Sequence, residues 1–202
     1  MHLIVFATLR EAQATLHLLN AQYLTENVYT YPEGRILISG IGMLAVCHSL
    51  TPHLVEATEI FNLGLAGALD DSLELGSVVH IGNASLHLPF PKEIDPFSRQ
   101  LAEKCYPNIH LEKGASLITS LIPVHDLSFK KELSQKASLV DMEGYGVAYM
   151  AQKQGIPCNL VKVVSDFSKE EQTPLLLQNI SLFADKLALT LQDQFADRFS
   201  SF

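Results

Sequence analysis

Residues 140–168, VDMEGYGVAYMAQKQGIPCNLVKVVSDFS, restrict the fold more than any other part of the chain. Apolar Val147, Met150 and Ala151 recur at three-and-four spacing, which predicts a helix, and Gly155 with Pro157 supplies its stop. Leu160, Val161, Val163 and Val164 follow as a short run rich in β-branched residues, the pattern of a strand buried on both faces. A helix that feeds such a strand belongs to an α/β sheet. Ligands of open α/β sheets bind beyond the carboxyl ends of the strands, where Ser165 and Asp166 stand. Asp141, Met142 and Glu143 precede the helix and come to the same rim, so carboxylates from two segments meet there.

The remaining segments alternate in the same way. Leu3 to Phe6 reads as a buried strand, and Thr8-Leu9-Arg10-Glu11 opens a helix through Leu16 and Leu19. Asn27 to Tyr31 and Arg35 to Ser39, joined by Pro32-Glu33-Gly34, form a hairpin. A helix is expected from Met43 to about His53, and a short strand from Glu59 to Asn62, after which small residues turn the chain. Another strand starts at Ser77 to Ile81, and residues 83–98, with three prolines, read as a loop. Helix is expected near Phe97 to Lys104 and Ser128 to Gln135, and strand at Lys113 to Ile118 and Ser138 to Val140. Thr173 as N-cap and Pro174 as first helical residue open a closing helix that continues to about Phe199. The alternation predicts a three-layer α/β/α sandwich with a central mixed sheet. No linker-like stretch divides it, so residues 1–202 are expected to form a single domain.

Composition narrows the partners. A net charge of −8 over 202 residues argues against nucleic acid or an anionic membrane surface and favours a small molecule. The opening HLIVFA lacks a basic flank, and no run of about 18 apolar residues offers a membrane span. Cys47, Cys105 and Cys158 have no paired spacing, which fits a reducing cytoplasm. His48 and His53 do not share a helix face, so no metal site and no cofactor are expected.

Three acids invite chemistry, and each has a plain local reading beside it. Thr8-x-x-Glu11 is a capping box; Glu143 is a first-turn acid at a positive helix end; Asp166 fits a turn before a Ser168-x-x-Glu171 box. Asn62-Leu63-Gly64-Leu65-Ala66-Gly67 supplies GxxG, not the GxGxxG of a dinucleotide site, and on spacing alone its glycines serve tight packing.

Taken together, SGIG at 39–42, NLGLAGALDDSLELGSVV at 62–79, VDMEG at 140–144 and VVSD at 163–166 resemble the nucleoside phosphorylase and nucleosidase superfamily. The order and spacing match over most of the chain. The likeness is greatest to the 5'-methylthioadenosine/S-adenosylhomocysteine nucleosidases and the futalosine hydrolases of menaquinone synthesis. The resemblance implies a nucleoside phosphorylase-like fold, a purine nucleoside as substrate, and a homodimer. It also implies roles: Glu143 binds the ribose hydroxyls with Met142 packed on the sugar, Asp166 serves purine N7 and the exocyclic group, steadied by Ser165, and Glu11 activates water. Gly64 and Leu65 belong to its substrate-binding glycine segment.

Hydrolysis of an N-ribosidic bond passes through an oxocarbenium-like sugar and needs protonation of the leaving purine, which an acid facing the base provides. A carboxylate under the ribose favours the developing positive charge. The chain departs from the pattern at Leu65, where the family often carries a hydroxyl, and at 121–124, where the base-stacking aromatic is replaced by Leu-Ile-Pro-Val. Aliphatic packing, or an aromatic such as Phe90 or Phe167, is expected to substitute, and the 83–98 segment is a candidate wall for the 5' substituent. A phosphorylase, needing arginine at a phosphate site, and a non-catalytic nucleoside-binding protein are the competing functions.

Overall fold

The computed structural model describes residues 1–90, 93–168 and 173–199. The first half comprises strand β1 (His2–Phe6), helix α1 (Leu9–Leu18), strands β2 (Gln22–Thr25), β3 (Val28–Tyr31) and β4 (Gly34–Ile38), helix α2 (Met43–Leu50) and strands β5 (Glu59–Ala68) and β6 (Val78–Leu86). The second comprises α3 (Pro96–Cys105), β7 (Ile109–His110), β8 (Ala115–Thr119), α4 (Leu127–Leu133), β9 (Leu139–Asp141), α5 (Gly144–Gln154), β10 (Cys158–Asp166) and α6 (Thr173–Gln194). Short 3₁₀ turns follow α2 at Thr51–His53 and α6 at Ala196–Arg198.

β5 organises the mixed sheet. Its first residues pair parallel with β1 (His2↔Glu59 to Val5↔Asn62), and its last two, Gly67 and Ala68, pair antiparallel with Val140 and Leu139 of β9. Its other edge pairs parallel with β10 through Cys158↔Ile60 to Val164↔Ala66. β10 continues to β6, β6 to β8, and β8 back to β9, so five strands close on themselves while β1, β4, β3 and β2 extend as an open wing. The carboxyl ends of β5 and β10 and the start of α5 thereby share one rim.

Helices cover the sheet because its side chains alternate. Phe61 and Leu63 of β5, with Val161 and Val163 of β10, join Phe183, Leu187 and Leu191 of α6 in one apolar cluster. Leu3, Val5 and Ile60 pack with Val46 and Leu50 of α2 and Val147 and Ala151 of α5. Full burial of such side chains is worth ~1.5–3 kcal/mol each. Gly146 lets α2 and α5 approach closely, since a Cβ there would lie 3.0 Å from Met43 Cγ and Val46 Cγ1. Gly155 ends α5 at φ 66°, the left-handed cap its position predicts.

Four local expectations are corrected. The glycines after Asn62 do not turn the chain: the strand runs on to Ala68, because Gly64 and Gly67 admit side chains that approach from β10 and the residues after it. Asn83–Leu86 belongs to β6 rather than to a loop, held by parallel pairing with β8. The expected helix to His53 is α-helical only to Leu50, with Pro52 falling in the 3₁₀ turn. The last helix stops at Gln194, not Phe199. β2 and β7 were invisible as patterns: β2 is exposed throughout and β7 has two residues. Glu171 of the Ser168-x-x-Glu171 box lies outside the described residues.

Candidate active site

A buried ammonium stands behind the site. On β10, Lys162 faces away from Val161 and Val163 and is 1% exposed. The same face of β5 carries Asn62 and Gly64; Lys162 Nζ donates to Asn62 Oδ1 at 2.8 Å, and a Cβ on Gly64 would lie 3.4 Å from it. Glycine at 64 therefore makes room for the charge. Lys162 Nζ also pairs with Asp141 Oδ2 at 2.9 Å, both side chains being almost fully buried. Asp141 is held further by Thr119 Oγ1, which donates to Oδ1 at 2.6 Å, and by the Gly144 N–H, which donates to Oδ2 at 2.8 Å. The Tyr145 N–H donates to Thr119 Oγ1 at 2.8 Å, so two of the unpaired donors at the start of α5 are satisfied by this network.

Glu143 is fixed immediately before that helix. Its Oε1 accepts the Gly42 N–H at 2.6 Å, across 101 residues of sequence, and so caps α2, whose own N-cap residue Gly42 has no side chain to do it. Gly40 and Gly42, at φ 84° and 98°, give the 39–42 turn the left-handed backbone that delivers this N–H. Burial, with the neighbouring Asp141 charge second, pushes the Glu143 carboxyl up to about 7, against the pull of Lys162 and the Gly42 N–H.

Glu11 forms the capping box and also lies on the cavity wall. Thr8 N–H and Oγ1 donate to Glu11 Oε2 at 2.8 and 3.0 Å, completing the capping box. Its other oxygen, Oε1, turns toward Gly64, 4.0 Å from where a Cβ would sit. Burial raises its pKa, opposed first by the Thr8 contacts and then by Lys162. Asp166, half-buried at the end of β10, accepts from Ser165 Oγ at 2.7 Å and from the Ser168 N–H at 2.7 Å.

Glu11, Asp141, Glu143 and Asp166 line one cavity of about 410 Å³, together with Leu65, Met142, Ser165, Ile41, Ile122, Pro123 and Val124. Of the sequence-expected site residues, the structure brings together Glu11, Leu65, Met142, Glu143, Ser165 and Asp166. Gly64 is not on the wall; it lies behind it, spacing Lys162 from β5. Neither Phe90 nor Phe167 is on the wall, and Ile122, Pro123 and Val124 occupy it at the place expected for a stacking group. The 83–98 segment does not reach it among the described residues. Lys162 and Asn62 escaped the sequence reading, although a lysine inside the apolar run LVKVV is itself a signal, since a buried charge requires a partner. Among the described residues no His, Cys, Asp and Glu group could hold a metal ion.

The profile of the phosphorylase superfamily matches residues 23–196. The chain belongs to that superfamily. Among solved structures, a Helicobacter pylori 5'-methylthioadenosine/S-adenosyl homocysteine nucleosidase complex is similar at TM-score 0.78 and 21% identity, with 98% of each chain covered. The native futalosine hydrolase of Helicobacter pylori strain 26695 is similar at TM-score 0.77 and 22% identity, covering 98% of this chain and 97% of that one. A variant of the corresponding nucleosidase from Chlamydia trachomatis, bound to MTA, is similar at TM-score 0.78 and 26% identity, with 98% of each chain covered. Among curated proteins nothing matches. The nucleoside phosphorylase-like α/β fold with a mixed sheet, expected from the resemblance, is the fold of this superfamily member.

A raised carboxyl has a signed consequence for stability. Glu143 binds its proton more tightly folded, near pH 7, than unfolded, near 4.5, so between these values the folded state holds more protons and stability falls as pH rises. Glu143→Gln removes that burden while its amide oxygen still accepts the Gly42 N–H. Thermal unfolding should therefore give the variant a higher Tm than the wild type at pH 8, with the two converging toward pH 4.5. A variant that is less stable at pH 8 would show that the carboxylate is not strained by burial.

Proposed function

We propose that the chain is a hydrolytic purine nucleosidase, acting as one catalytic domain over residues 1–202, that cleaves the N-ribosidic bond of a 5'-substituted adenine nucleoside. The observation that carries the reading is the convergence of Glu11, Glu143 and Asp166, from three separate segments, on one cavity. In this reading the purine lies against Ile122, Pro123 and Val124 with its N7 edge toward Asp166, and the ribose lies over Met142 and Glu143. Asp166 protonates N7 as the C1'–N9 bond breaks and its electrons pass into the base. Glu143 has one oxygen committed to Gly42, and its remaining lone pairs accept the ribose hydroxyls, favouring the cationic sugar. Water adds to C1' and gives its proton to Glu11, whose Oε1 is free of the capping contacts that hold Oε2.

Aminodeoxyfutalosine is the first choice of substrate, with methylthioadenosine and S-adenosylhomocysteine next. Asp166 can protonate N7 and accept from a 6-amino group, and Leu65 in place of a hydroxyl favours the futalosine-hydrolase side of the resemblance. The apolar Ile41 and Ile180 on the same wall suit a bulky 5' substituent. A phosphorylase reading draws on Arg10, an exposed guanidinium that also lines the cavity.

Chromatographic detection of free base from these nucleosides, with and without phosphate, tests the reading. Adenine release independent of phosphate is expected from aminodeoxyfutalosine, with appreciable release from methylthioadenosine and little from unsubstituted inosine. Strict phosphate dependence would identify a phosphorylase, and binding without release a non-catalytic protein. Glu143→Gln and Asp166→Asn should each fold and lose at least ~100-fold in turnover. Glu11→Gln separates its two roles: inactivity with retained fold supports water activation, whereas full turnover with reduced stability leaves only the cap. A homodimer is also proposed, and light scattering that gives a monomer at micromolar concentration under assay conditions would contradict it.

A further inference from the structure

Ser168, two residues beyond Asp166, has a combination of features that the proposed mechanism does not use. Its side chain is 1% exposed, and its hydroxyl has no hydrogen-bond partner among the described residues. Its backbone is left-handed at φ 54°; the other described non-glycine residues with positive φ are Asn20 and Asn27, a residue type that tolerates this region, as serine does not. An unpartnered buried hydroxyl and a strained backbone are each unfavourable, and both persist at one residue on the wall of the cavity.

The surroundings place this hydroxyl beside the acid. Ser168 N–H donates to Asp166 Oδ1, and a Cβ on Gly67 would lie 2.4 Å from Ser168 Oγ and 3.0 Å from Asp166 Oδ1. Carboxylate and hydroxyl thus stand side by side over one glycine, which must be a glycine for both to fit. Ser165 differs, since its hydroxyl is already engaged by Asp166 Oδ2 and by the Ala66 carbonyl. Ser168 is itself on the cavity wall, so a turn about its single χ1 is the one movement the inference requires.

We infer that the Ser168 hydroxyl is a base-recognition group that allows this cavity to take 6-oxo as well as 6-amino purines. The inference rests on the nucleosidase reading for the orientation of the base. When Asp166 gives its proton to N7, its other oxygen is an acceptor, which suits a 6-amino group but opposes the lone pairs of a 6-oxo group. A hydroxyl is both donor and acceptor. Beside the carboxylate, Ser168 donates to a 6-oxo oxygen and relieves that opposition; toward a 6-amino group it serves only as a second acceptor. Loss of the hydroxyl should therefore harm the 6-oxo base selectively.

The test compares wild type, Ser168→Ala and Ser168→Gly by calorimetric titration with free adenine and hypoxanthine, and by turnover of methylthioadenosine and methylthioinosine. Both variants should lose about tenfold or more for hypoxanthine and methylthioinosine, and stay within about threefold of wild type for the adenine pair. Glycine, which accepts positive φ, controls for backbone strain. If it retains the wild-type base ratio, or if alanine weakens both bases equally, Ser168 is structural and the inference is overturned. Selective loss of hypoxanthine binding without any wild-type turnover would support the Ser168 assignment while refuting the enzyme. A wild type that binds neither base would refute both.

Discussion

The site is built on the pairing of Lys162 with Asp141, an ammonium and a carboxylate removed from water together. Isolated burial of either charge is prohibitive, and breaking such a pair leaves the survivor uncompensated at a cost of ~3–5 kcal/mol. The pair is possible because each partner completes its shell within the protein: Lys162 with Asn62, Asp141 with Thr119 and the Gly144 N–H. It ties β10 to the end of β9 and to the first turn of α5. The position of Glu143, between that strand and that helix, follows from it. Gly64 is demanded by the same pair, as the space beside Nζ on the neighbouring strand.

Around this single ammonium stand more carboxylates than it can neutralise. Asp141 is paired directly, while Glu143 and Glu11 receive only partial relief and are raised by burial. Such an arrangement is unfavourable for the protein by itself, and under the proposed nucleosidase reading it would favour a sugar that develops positive charge. Burial raises the Glu143 pKa, and Ser168 combines a positive φ with an unpartnered buried hydroxyl. In both places the structure retains a local penalty that packing of the surrounding sheet and helices outweighs.

How much of this was legible in the sequence depended on the range of the interactions. The α5–β10 unit was read correctly because helical spacing, the Gly155 cap and the apolar β10 run are local signals. The rim position of Asp141, Glu143 and Asp166 followed from strand and helix ends alone. The full length of β5 was hidden because Gly64 and Gly67 resemble turn residues, and their reason lies about 100 residues away in Lys162, Asp166 and Ser168. The capping of α2 by Glu143 was equally invisible, since it spans 101 residues. Gly64 was read as part of a glycine segment, and the space it leaves for Lys162 Nζ could not be seen from the motif. Glu11 forms its capping box through Oε2 and still lines the cavity, so the local reading does not remove it from the wall.

The measurement that bears most directly on this account is the titration of the Glu143 side chain itself. Carbon-13 labelling of glutamate carboxyls, with the Glu143 signal assigned by its loss in Glu143→Gln, would follow the ionisation of that one group in the ligand-free protein. A midpoint near pH 7 is expected, set by burial and by the neighbouring Asp141. A midpoint near the ordinary glutamate value of 4.5 would mean that water or a further cation reaches Glu143, and would contradict the crowded-carboxylate site.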